Sequence, residues 1–257
     1  MAAVSEFGPT LRALQAGSDV VLPSQFSRVV DATGNLFKNK TDAAAKAAYL
    51  TIDWVEEFGW ASRDGASELF IGRDILNLAK LAHAPGKFIG AIGKIGDRIS
   101  SVWEADSFMQ RFGQSLCVVP AIATSIGYGV DVVDLGKKTT ILPISSDTFL
   151  SFKQVSSIAL IVGMGWSAIE KLGDIAGCDI DSAKNPAEFN EKFNKFTQTL
   201  IELAKSVAYV VLGVLSMLSY IFGVPICQLA FLIAGTATSV FTIIEHFHNE
   251  LKLTKPQ

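Results

Sequence analysis

The sequence predicts an all-α fold: a helical membrane protein with a C-terminal helical hairpin and an N-terminal helical region. Three observations carry this. Residues 206–244 run for 39 positions without one Asp, Glu, Lys or Arg. Two further uncharged runs, 114–130 and 154–169, hold 17 and 16 residues. Elsewhere apolar residues recur every three or four positions, the period of a helix and not of a strand. Composition agrees, with 49% apolar and 18% charged residues, below the quarter charged that is usual for soluble chains. The net charge of −3 argues against nucleic acid as a partner.

Residues 1–112 read as the N-terminal helical region. The first fourteen residues place a Glu before any Arg and lack a long apolar core, unlike a secretory signal. Short helices are expected over 10–15 and 26–36. Thr41-Asp42 caps an Ala-rich helix that runs to Phe58, with Gly59 as its stop. Asp53, Glu56 and Glu57 near its end read as a solvated face. A second helix over 67–83 carries Phe70, Ile71, Ile75, Leu78 and Leu81 at helical spacing, and His83 at its C-terminus suits the helix dipole.

The basic amphipathic stretch 80–99 follows. Ile89, Ile92, Ile95 and Ile99 line one side, and Lys87, Lys94 and Arg98 are expected to form a membrane-surface basic face. Gly93-Lys94 lacks the earlier Gly and the following Ser or Thr of a phosphate loop, with Phe88 and Ile95 in those places. Four glycines (Gly86, Gly90, Gly93, Gly96) weaken this helix in water, so lipid or a packed neighbour is expected to support it.

Residues 113–172 are expected to form two short apolar helices, joined by an extended loop around Pro143. Their uncharged runs fall short of the roughly 20 residues of a membrane span, so packing or partial insertion competes with two crossings. Gly163, Gly165 and Ala168 match a dinucleotide-binding pattern, but no alternating strand and helix surrounds them. Close helix packing explains them better.

Residues 173–185 read as a linker. It ends in a strong helix start: Asn185 as cap, Pro186 at the first position and Glu188 in the first turn. Residues 186–257 then form a heptad helix leading into a transmembrane hairpin, 206–244. Phe189, Phe193, Phe196, Leu200 and Leu203 step by four and three, the stripe of a helix that packs lengthwise on a partner helix. The same chain, a second copy in a homo-oligomer, or a foreign protein would cover it.

The hairpin turn is Gly223-Val224-Pro225. It divides the run into lobes with nine Leu, Ile, Val or Phe residues each, about −3 to −5 kcal/mol of insertion free energy per lobe before the polar residues subtract. Gly213, Ser216 and Ser219 in one lobe, and Gly235 and Ser239 in the other, would allow close helix packing in the membrane. Lys192, Lys195 and Lys205 precede the hairpin and Lys252 and Lys255 follow it, so both ends are expected to be cytosolic. A buried hairpin inside a soluble helical bundle is the competing reading.

No catalytic motif stands out. There are three histidines, and His246 and His248 are spaced i, i+2, so on a helix they point apart. Cys117, Cys178 and Cys227 form no disulfide or zinc framework. No metal, cofactor or enzymatic activity is expected.

The paired lobes of 206–244, without a secretory signal, resemble the bilobed hydrophobic hairpin of chlamydial inclusion membrane proteins. That resemblance implies type III secretion, insertion into the membrane of the vacuole around the bacterium, and binding of host proteins. It covers about 40 residues, is one of hydropathy alone, and assigns no site. The basic stretch 80–98 ahead of apolar helices is also similar to the peroxisomal membrane-elongating family, which implies bilayer remodelling by an amphipathic helix. The functional expectation is therefore a membrane-anchored interaction or scaffold protein whose partners are the lipid bilayer and proteins that dock on helical surfaces. A membrane-remodelling protein and a soluble helical bundle are the alternatives.

Overall fold

The computed structural model describes residues 22–180, 182 and 185–251. The expected helix at 10–15 and the basic residues Lys252 and Lys255 lie outside them. Nine helices and no strand occur among the described residues. They are α1 (Leu22–Asn39), α2 (Thr41–Glu57), α3 (Ser67–Ala82), α4 (Ala84–Glu104), α5 (Phe108–Leu116), α6 (Val118–Lys138), α7 (Ser146–Ala176), α8 (Pro186–Tyr220) and α9 (Gln228–Leu251).

Local chemistry sets the ends of these helices. Gly59 adopts φ +68 just beyond α2, a left-handed conformation that suits glycine. The Ser107, Ser145 and Asn185 side chains accept hydrogen bonds from the amides of Gln110, Thr148 and Glu188, capping α5, α7 and α8. Pro186 opens α8, which continues unbroken through the first apolar lobe to Tyr220.

The uncharged runs understated the central helices. α6 continues through Asp131 and Asp134 to Lys138, and α7 reaches back beyond Lys153 and forward beyond Lys171. Charged residues end an apolar run without ending a helix, so α7 reaches 31 residues and the linker begins only after Ala176. With the α5–α6 segment counted as one, four helices are long and apolar enough to cross a membrane: Phe108–Lys138, Ser146–Ala176, Pro186–Tyr220 and Gln228–Leu251. The connection between the last two spans 221–227, longer than the Gly223-Val224-Pro225 turn, and Gly223 within it has φ +65.

These helices pack in sequence, α6 on α7, α7 on α8 and α8 on α9. α7 and α8 run antiparallel along their length. Gln154 donates to the Tyr220 carbonyl at 2.8 Å, Ser206 to Ser167 at 3.2 Å, and Lys171 pairs with Glu202 at 2.7 Å. α2 then packs on α9, α3 on α2, and α3 returns to α6. Six helices thus close a ring, with α4 laid against α6 outside it.

Charged side chains cluster at two levels of this bundle. Lys171–Glu202 and Lys205–Glu245 mark one, and Asp134 with Lys138 and Lys153 marks the other. On α7 the uncharged stretch between them, Lys153 to Glu170, is about 25 Å long at 1.5 Å per residue, close to the hydrocarbon thickness of a bilayer. Outward side chains within this band are apolar and exposed: Val155, Ile158 and Val162 on α7, Val207 and Val211 on α8, Ile233 and Val240 on α9. A soluble bundle would turn such residues inward.

One other reading is corrected here. Asp53 is not on a solvated face. It is 8% exposed and accepts a 2.8 Å hydrogen bond from Arg73, because α3 folds back on that side of α2. The histidines near the C-terminus point apart, as their i, i+2 spacing implies. His246 is buried with Nε2 2.9 Å from the Ala32 carbonyl, and His248 Nε2 lies 3.2 Å from that of Asn194, because α1 and α8 flank α9 there.

Candidate polar cavity at mid-depth

A cavity of about 280 Å³ lies inside the helical ring. Its walls come from all four apolar spans: Gly127, Tyr128 and, just past the uncharged run, Asp131 on α6, Leu160 and Gly163 on α7, Tyr209 and Leu212 on α8, Ser239 and Thr242 on α9. Asp42 and Lys46 of α2, Lys80 of α3 and Lys87 of α4 close the remaining side. Ionisable groups at this depth are costly in lipid, and they persist where they face a bundle interior or an aqueous cavity.

Small residues create the space and the approach. A side chain at Gly163 would lie 2.8 Å from the Ala123 Cβ, so α6 and α7 meet closely there. This is the structural role of Gly163, whereas Gly165, also expected to pack closely, has nothing within 4 Å of where a side chain would stand. The Ala-rich start of α2 buries Ala43 and Ala45, and Lys46 passes between its small neighbours toward α9.

Lys46 Nζ donates to the Thr238 hydroxyl at 2.6 Å and lies 5.3 Å from the Tyr209 ring centroid. As a residue Lys46 keeps some accessible surface, yet its ammonium is enclosed by protein atoms. Burial pushes it down to about 7 from its ordinary 10.5, Lys80 and Lys87 push the same way, and Asp131 and Asp42 oppose them. Lys87 pairs with Asp42 and stands 5.7 Å from the Tyr128 ring. Burial raises the Asp42 carboxyl, but the hydrogen bond and charge of Lys87 outweigh it and hold the group below its usual value.

The residues singled out from sequence fall in different places. Lys87 turns inward to the cavity, while Lys94 and Arg98 are exposed on the outer flank of α4. Gly213 is buried against Ile161 of α7, and Gly235 against Leu50 of α2. Ser216 and Ser219 are half-buried, and Ser239 is buried at the cavity wall, donating to the Gly235 carbonyl at 3.2 Å. Gly213 and Gly235 thus bring the lobes against α7 and α2. Gly223, Val224 and Pro225 are exposed in the connection. On the stripe of α8, Phe189, Phe193 and Leu200 are exposed, Phe196 and Leu203 are half-buried, and Phe189 stacks on Phe193 with centroids 6.0 Å apart.

Lys46 itself was missed. In sequence it is one cation in an Ala-rich helix, and its only signal is that it stands one turn from Asp42 and from Leu50 on the face that α2 buries. No family model, no curated protein and no solved structure matches this chain.

Proposed function

We propose that this chain is a membrane-anchored interaction protein, held in the bilayer by its apolar helices and presenting the start of α8 to a protein partner. The observation that carries the reading is the band of exposed Val155, Ile158, Val162, Val207, Val211, Ile233 and Val240 on three of the four long helices, α7, α8 and α9. Lipid is the solvent that removes the cost of such a surface. The connections 139–145 and 221–227 fall on one side, and α8 begins on the other with Lys192 and Lys195, the side that the positive-inside rule assigns to the cytosol. There Phe189, Phe193 and Leu200 stand exposed, a helical face ready for a second helix. In the setting implied by the inclusion-membrane resemblance, that partner is a host protein and the membrane is that of the vacuole. Alkaline carbonate extraction of membranes from expressing cells tests the anchoring. The protein remains in the pellet if the reading holds, and its release into the supernatant refutes it.

A second reading, bilayer remodelling by α4, draws on one arrangement. At 100° per residue, Ile92, Ile99 and Trp103 fall on one flank of α4, and Lys94 and Arg98 on the opposite one. All five are exposed. The full-length protein added to anionic liposomes would tubulate them if α4 acts in this way, and unchanged liposomes would dismiss it.

A further inference from the structure

While Lys46 is protonated, the charge in the mid-depth cavity does not balance. Three ammonium groups (Lys46, Lys80, Lys87) face two carboxylates (Asp42, Asp131). Lys87 pairs with Asp42, which leaves Lys46 and Lys80 against Asp131. Neither Lys80 nor Asp131 forms an ion pair among the described residues. The Lys46 ammonium uses one of its three donors on Thr238. With Lys46 protonated, an excess of positive charge with spare donors therefore lines a partly open space inside the bundle.

We propose that this cavity binds a small organic anion through a singly charged oxygen group, a carboxylate or a phosphodiester. Its size suits such a ligand. The 280 Å³ volume equals roughly nine waters at their share of the liquid, more than a lone halide needs and below the range typical of drug-sized ligands. Lys46 and Lys80 converge on the anionic group from α2 and α3. The Tyr128 phenol, beside Lys87, adds a neutral donor. Leu160 and Leu212 supply an apolar wall for a short chain. The bound anion favours the protonated form of Lys46, so affinity falls as pH rises above the titration of that group. The charged groups bearing on Lys46 are Asp42 on its own helix, Lys80, Lys87 and Asp131. The anionic group has two sources, a lipid headgroup or a soluble metabolite. This site is separate from the α8 stripe and does not depend on the partner reading.

The test uses the full-length protein in a phosphate-free sugar detergent, titrated calorimetrically with dimethyl phosphate and, separately, with propionate. Saturable binding of either probe is expected. It should weaken by about tenfold or more in Lys46→Met and in Lys80→Gln, and weaken again in wild type as pH is raised past neutrality. Lys46→Met keeps length and adds no buried charge, and Lys80→Gln provides a second probe on another helix. Phosphatidylglycerol added to the micelles separates the sources. Competition with the soluble probe identifies a lipid headgroup, and undisturbed probe binding identifies a soluble anion. No saturable binding of either probe, or equal binding by wild type and both variants, overturns the proposal.

Discussion

The Lys46 ammonium donates a 2.6 Å hydrogen bond to the Thr238 hydroxyl, which is wholly buried at the middle of α9. A lysine from the Ala-rich helix α2 thus reaches the centre of an apolar span. In the unfolded chain Lys46 keeps its ordinary value of 10.5, while the folded value is about 7. Between those values the unfolded chain holds a proton that the folded chain lacks, so stability rises with pH across that window. Lys46→Met removes this dependence. Its gain over wild type should be full below pH about 7 and fade as pH rises toward 10.5. Thermal melting in detergent at stepped pH checks this, and a difference independent of pH contradicts it.

Gly213 and Gly165 offer a paired comparison within the apolar band. A side chain at Gly213 would stand 2.8 Å from Ile161 Cγ1 and 3.4 Å from the Ser157 carbonyl, whereas nothing lies within 4 Å at Gly165. Gly213→Ala should destabilise by about 1–3 kcal/mol through overpacking of α7 on α8. Gly165→Ala should be neutral or stabilise by up to about 1 kcal/mol, as expected for alanine in a helix interior. Melting temperatures of the two variants decide the matter. Equal effects would mean that α7 and α8 do not meet at Gly213.

Arg73 and Asp53 join α3 to α2 at 2.8 Å, with both side chains largely buried. Arg73→Ala leaves the Asp53 carboxylate without its cation, and a loss of about 1–3 kcal/mol is expected. Adding Asp53→Asn should recover part of it, because a neutral amide tolerates the site better than a lone charge. A double-mutant cycle by melting reads this. Strict additivity would show that the pair is not coupled.

Phe189 and Phe193 are 46% and 49% exposed, so the chain itself gains little from them. Phe189→Asp together with Phe193→Asp should leave the melting temperature within about 2 °C of wild type, since exposed substitutions act weakly. The same pair should abolish crosslinking between a photoreactive group at Leu200 and a partner. A large drop in melting temperature would place these rings in the fold instead.

The helices were legible wherever a local signal coincided with a boundary. Gly59 ended α2, Asn185-Pro186 opened α8, and the spacing of Phe70, Leu78 and Leu81 located α3. The spans of α6 and α7 were read too short, because Asp131, Lys153 and Glu170 bound an uncharged run while the helix continues through them. The cavity was not legible. It is assembled from Lys46, Lys80, Lys87 and Asp131 on four helices, and no periodicity in a single segment reports such a meeting. Asp53 misled for the same reason: a carboxylate at a helix end looks solvated until Arg73, twenty residues on, is seen to face it.

Lipid contact at the outward faces of α7, α8 and α9 underlies the whole account. Spin labels at Ile158→Cys, Val211→Cys and Val240→Cys, each on a background lacking Cys117, Cys178 and Cys227, measure it in reconstituted vesicles. Collision with oxygen should exceed collision with a water-soluble nickel chelate at all three positions, and the order should reverse at Lys94→Cys. Free access of the nickel chelate to 158, 211 and 240 would mean that water bathes these helices, and the membrane account would fail.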